Sequence, residues 1–184
     1  MPKLIRLTGE DFAWDEDSFT SVGDEDPIPE GDVIVSLKRF MAEGEGLLGG
    51  RAVGVRIEPD EAVEDLVYDL PGLALVAVAF PKFLDGRGFT SARLLRERYG
   101  FKGEIRAVGE VLREQAFHMV RCGFDAFVPT DGSDPAAWAA AVARYRHVYQ
   151  RAADSRQPIY LKRGVPSPLF PANAGTEAFS AGEK

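Results

Sequence analysis

The stretch Leu73-Ala74-Leu75-Val76-Ala77-Val78-Ala79-Phe80 is apolar throughout and passes directly into Pro81-Lys82-Phe83-Leu84-Asp85-Gly86-Arg87-Gly88-Phe89-Thr90. A continuous apolar run of this length suits a strand covered on both faces, the position of a central strand in a parallel sheet. The segment after it is rich in glycine and charge and opens into a helix. Parallel α/β proteins present ligand-binding groups at strand ends in this way.

The same unit recurs on either side. Upstream, Val33-Ile34-Val35 reads as a short strand turning into a helix through Leu37 and Phe40 to Met41, ended by Gly44, Gly46, Gly49 and Gly50. Ala52 to Ile57 is a short β-branched strand, and Glu58-Pro59-Asp60 caps a helix over Glu61 to Leu70 that Pro71-Gly72 stops. Downstream, Thr90 is placed to cap a helix with Leu95 and Tyr99 on one face, Arg93 and Glu97 paired four apart, and Gly100 at its end. Glu104 to Val108 is the next strand. Glu110 to Cys122 then reads as a helix with Leu112, Ala116, Met119 and Val120 inward, closed by Gly123, and Asp125 to Val128 as a further strand. Asp134-Pro135 supplies an N-cap and a first-turn proline for a helix in which Trp138, Val142, Tyr145 and Tyr149 recur at helical spacing.

Strand and helix alternate with short connections, which predicts an α/β fold with an open, mostly parallel sheet and right-handed crossovers. Four such units are too few to close an eight-stranded barrel. A doubly wound sheet is the first reading and a partial TIM-barrel-like βα array the alternative.

The ends differ from this core. Between Glu10 and Asp32 there are ten acidic residues and no basic one, so residues 1–32, with an edge strand over Leu4 to Leu7, read as a mobile or loosely docked acidic arm that Phe12 and Trp14 could anchor. Residues 33–151 form the core domain. Residues 152–184 carry four prolines and little periodicity, which predicts a packed extension to about Leu169 and a disordered end.

Composition excludes several classes. At 184 residues, 45% hydrophobic and 28% charged, the chain has the makings of one domain with a core. Its apolar runs are far too short to span a bilayer, and Met1 to Arg6 lacks a signal core, so no membrane association and a cytoplasmic location are expected. A net charge of -7 argues against nucleic acid as a partner. Cys122 is the only cysteine, which rules out an internal disulfide and a self-contained iron–sulfur cluster. Near the carboxyl end of a helix it reads as a structural thiol rather than a nucleophile. His118 and His147 have no ligand neighbours at metal spacing, so no metal site is expected.

Candidate chemistry gathers after the apolar strand. Gly86, Arg87, Gly88 and Thr90 combine flexible backbone, a guanidinium and a helix amino end, groups suited to a small oxyanion. Asp85 and Arg87 read equally as partners in a tight turn; Arg93, Arg106 and Glu110 would join them in one pocket if the two neighbouring strands lie side by side. Asp85 and Glu110 are the candidate acid/base residues, although Glu110 also reads as an ordinary first-turn carboxylate. The glycine pattern misses both the dinucleotide fingerprint and the P-loop, and no complete cofactor-binding signature is present. Arg144, Arg146, Arg151, Arg156, Lys162 and Arg163 form a second basic cluster, either a solvated face or a docking surface for an acidic partner or for the chain's own acidic arm.

Phe80-Pro81-Lys82-Phe83 with Asp85-Gly86-Arg87-Gly88-Phe89, Ala92 to Arg98, Gly103 to Gly109 and Arg121-Cys122-Gly123-Phe124-Asp125 resemble the bacterial domain-of-unknown-function family 934, over roughly residues 30 to 150. The resemblance implies an oxidoreductase of assimilatory sulfite reduction, with sulfite reductase or another sulfur-assimilation protein as partner; without a complete cofactor signature, an accessory role there fits the residues better. It carries over no catalytic residue. A small-molecule enzyme acting on a carboxylate or phosphate, and a purely interacting protein, are the alternatives.

Overall fold

The computed structural model describes residues 3–162. Eight strands form one sheet: β1 (Lys3–Thr8), β2 (Asp11–Glu16), β3 (Thr20–Ser21), β4 (Val33–Ser36), β5 (Val53–Ile57), β6 (Leu75–Phe80), β7 (Glu104–Gly109) and β8 (Ala126–Phe127). Their spatial order is β2-β1-β8-β7-β6-β5-β4-β3. From β3 to β8 all neighbours run parallel, whereas β1 pairs antiparallel with both β8 and β2. The helices are α1 (Leu37–Leu47), α2 (Arg87–Arg93, continued by a π turn over Leu94–Arg98), α3 (Ala116–Cys122) and α4 (Pro135–Ala143).

The apolar stretch that set the fold is the central strand: every residue of β6 is buried. Strands β4 to β8 follow one another in space as in sequence, so each right-handed crossover steps one place in the same direction. Their connections therefore lie on one face, and Phe40, Leu95, Met119 and Trp138 from the four helices join Val35, Val55, Val78 and Ala107 in a single core. The open, mostly parallel sheet is as expected, but its winding is that of a curled half-barrel rather than a doubly wound sheet. Periodicity reveals strand–helix units and leaves their spatial order undetermined. Among the described residues no helix is long and apolar enough to cross a membrane.

Local departures have local causes. Helix α1 runs through Gly44 and Gly46 to Leu47, with the Phe40 ring 3.3 Å from where a Gly44 Cβ would stand. Two short 3-10 turns, Val63–Leu66 and Leu70–Gly72, replace the helix read over Glu61 to Leu70, and they bury Val63, Leu66 and Leu70. Thr90 lies inside α2, whose N-cap is Gly86. The Asp134 cap is formed: its carboxylate accepts from the Ala137 amide at 2.8 Å. Trp138 and Val142 are buried, but α4 stops at Ala143, leaving Tyr145 and Tyr149 beyond it and exposed.

The acidic segment is laid into the structure instead of lying loose. β1 is an inner strand, and Phe12 of β2 packs against Phe127 and Trp138 with ring centroids 6.0 and 6.4 Å away. Its carboxylates find cations across the sheet: Asp15 meets Arg6, and Asp17 meets Arg106 at 2.8 Å. Arg39 binds the carbonyls of Gly23 and Asp26, and Arg51 that of Pro29. A run of like charge reads as self-repelling only while its counter-charges, distant in sequence, are unknown. The expectation of disorder near the carboxyl end concerns residues outside those described.

Arg6 and the Glu16 amide hold the Asp15 carboxyl below its ordinary value of 3.8. A depressed native value means the pair stabilises the fold above 3.8 and loses that contribution as pH falls through the native value. Asp15→Asn should therefore unfold at lower urea than the parent at pH 7, and the deficit should close at an acid pH below that native value. An equal deficit at both would show that the charge of Asp15 contributes nothing.

Candidate functional site

In a curled parallel sheet the loops at the carboxyl ends of the strands carry function. The β6–α2 loop is the best-defined of these. Glycine at 88 is required by packing: its Cβ would lie 2.8 Å from the Phe80 ring and 3.0 Å from Val78. Helix α2 thereby lies close on β6, and Phe89 meets Phe80 edge to face at 5.3 Å.

The loop is tied down at several points. The Asp85 amide donates to the Lys82 carbonyl at 2.9 Å. The Asp85 carboxylate accepts from the Arg87 amide (3.2 Å), Nε (3.0 Å) and Nη2 (2.7 Å). This pairing holds Asp85 below the usual carboxylate range and raises Arg87. Glu110 Oε2 accepts from the Phe83 amide at 2.8 Å, while Gln115 Nε2 donates to the Phe83 carbonyl at 3.2 Å. Gln115 is placed in turn by the Leu112 amide, which donates to its Oε1 at 3.1 Å. Both polar groups of one peptide residue are thus clamped by side chains from the segment after β7. Between these ties, Phe83 is 39% and Leu84 90% exposed.

Of the residues singled out from sequence, Asp85, Arg87 and Glu110 belong to this one loop assembly, with Gly86, Gly88 and Thr90 at the start of α2. Arg93 pairs with Glu97 at 2.8 Å on the exposed side of α2. Arg106 lies on the sheet face opposite the helices, in a row across β1, β8, β7 and β6 with Arg6, Ala126 and Ala77. There a chain of charges runs from Asp15 through Arg6, Glu104 and Arg106 to Asp17. Arg93 and Arg106 therefore spend their charge away from the loop. Gln115 is the clamp residue that sequence reading passed over. Its signal was a polar side chain between Leu112, Ala116 and Met119 on an inward face, a position that demands a partner.

The other end of the strands is structural. Arg96 donates to the carbonyls of Gly123 (2.9 Å), Phe101 (2.6 Å) and Gly103 (2.8 Å) and pairs with Asp125, stitching together the approaches to β7 and β8. An open cavity of about 480 Å³ lies beside it, lined by Arg6, Lys102, Glu104 and Asp125 among others. Burial pushes the Asp125 carboxyl up, against the pull of Arg96. Burial likewise raises the Cys122 thiol.

Fold and loop together define an α/β half-barrel whose helix-free face carries the charge chain from Asp15 through Arg6, Glu104 and Arg106 to Asp17. The family profile described as "Bacterial protein of unknown function (DUF934)" matches residues 54–160, and the chain belongs to that family. No curated protein matches it.

Proposed function

We propose that this chain is a cytoplasmic accessory protein of assimilatory sulfite reduction that acts by docking its β6–α2 loop onto a partner protein, with the sulfite-reducing enzyme the first partner to test. The pathway comes from the family resemblance. Docking is supported chiefly by one observation: a loop fixed at Phe83 and Asp85 by hydrogen bonds holds Leu84 almost wholly in solvent. An apolar side chain on a pre-ordered loop binds with little further ordering cost. Acid/base chemistry is less well served, because Arg87 drives Asp85 away from the neutral range in which a general base works best.

Oxyanion capture at Arg87, Gly86, Gly88 and Thr90 is the second reading, favoured by the 61% exposure of the Arg87 side chain. One calorimetric series separates the two. Purified sulfite reductase should bind the parent, and Leu84→Asp should weaken binding by about tenfold or more, roughly 1.4 kcal/mol, with an unchanged melting temperature. Equal binding by parent and variant, or no binding by either, rejects the docking loop. Sulfite binding that Arg87→Ala abolishes would transfer the loop to the oxyanion reading.

A further inference from the structure

Most arginines of this chain lie within 4.0 Å of a carboxylate, as in the pairs Arg87–Asp85, Arg93–Glu97 and Arg106–Glu104. The segment after α4 departs from that pattern. Arg144, Arg146, Arg151 and Lys162 are exposed, and no ion pair joins any of them to a carboxylate among the described residues.

Tyr145 stands among these cations and is held from beneath. Its ring lies 4.4 Å from that of Phe117, and Arg156 sits over the Phe117 ring at 5.7 Å while donating to the Tyr145 carbonyl at 3.0 Å. Asp154 steadies Arg156 at 4.0 Å and Arg121 at 3.0 Å. The Tyr145 side chain is nonetheless 49% exposed. It borders two cavities, one of about 280 Å³ floored by Ala137, Ala140 and Ala141 and one of about 230 Å³ edged by Arg146 and Lys162.

We infer that the Tyr145 ridge is a docking site for an acidic segment of a partner protein. An apolar side chain of that segment occupies the alanine-floored groove, Tyr145 covers it, and carboxylates meet Arg144, Arg146 and Lys162. A pre-ordered aromatic flanked by arginines is the composition of interface hot spots, and unpaired cations in a chain of net charge -7 supply local charge complementarity. Glu114 and Glu10 also line the two grooves. They oppose a continuous phosphate backbone, whereas a peptide offers them its amide N–H groups. The inference stands apart from the β6–α2 loop and does not require it.

The test is fluorescence anisotropy of the full chain with a labelled random copolypeptide of glutamate and tyrosine, with polyuridylate as the competing polyanion. The copolypeptide should bind with an affinity that falls as salt rises. Arg144→Glu with Arg146→Glu should weaken it at least tenfold, as should Tyr145→Ala. Lys3→Glu, at the end of β1 away from Glu10, should leave it unchanged. Absence of copolypeptide binding, equal or tighter binding of polyuridylate, or a charge-reversed pair that binds like the parent would each overturn the proposal. So would a loss confined to Tyr145→Ala.

Discussion

Gly109→Ala is expected to lower the melting temperature by about 6–12 °C, the equivalent of roughly 3 kcal/mol in a chain of this size. Two costs combine. Gly109 has φ +95°, a conformation that disfavours an L side chain by about 1–2 kcal/mol. Its Cβ would also stand 2.3 Å from the Phe80 carbonyl oxygen, the acceptor of the Glu110 amide at 2.7 Å, so backbone must move, at about 1–3 kcal/mol. Gly50 provides the control, since at φ +92° it has nothing within 4 Å of its Cβ position. Gly50→Ala should show the conformational cost alone, and calorimetry should separate the two variants by several degrees. Identical melting would mean that the close approach to Phe80 costs nothing. The same displacement shifts Glu110, so amide exchange at Phe83 should quicken in Gly109→Ala and stay unchanged in Gly50→Ala.

Gly109 also illustrates where sequence reading stops. The strand over Glu104 to Val108 was legible; the left-handed backbone of Gly109 after it, close against the Phe80 carbonyl, was not. The elements that could be read locally were those whose determinants are adjacent: the unbroken run of β6, the Asp134-Pro135 start of α4, and the Arg93–Glu97 pair one helical turn apart. The pairing of Asp85 with Arg87, two residues on, was legible as one of two readings. Glu110 was harder because its partner is a backbone amide 27 residues earlier, and a backbone donor leaves no mark in the sequence. Hardest was the amino-terminal segment. Arg6 meets Glu104 across 98 positions and Asp17 meets Arg106 across 89, so neither half of the charge chain announces the other.

That charge chain carries the second large effect. Arg106→Met is expected to destabilise the protein by about 3–5 kcal/mol, the range for removing one partner of a buried ion pair. The Arg106 side chain is 2% exposed and binds Glu104 at 2.6 Å and Asp17 at 2.8 Å, with its guanidinium 5.7 Å from the Phe19 ring. Without it, Glu104 keeps Arg6 at 2.6 Å, but Asp17, only 12% exposed, keeps no cation. The loss should fall mainly on Asp17. Removing both partners is gentler than removing one, because no polar group is then left buried alone. Arg106→Met with Asp17→Leu should accordingly recover a measurable part of the stability lost by Arg106→Met, and urea unfolding of the two singles and the double gives the coupling. A double variant no more stable than Arg106→Met would show that Asp17 is not the stranded group. Proteolysis adds a spatial reading: because Asp17 and Phe19 join the amino-terminal segment to the helix-free face, Arg106→Met should be cut faster between β2 and β4 than the parent. Arg106 lies within the matched family region and Asp17 outside it. The contact therefore joins the family core to the segment that precedes it, and its strength decides whether that face of the half-barrel stays covered.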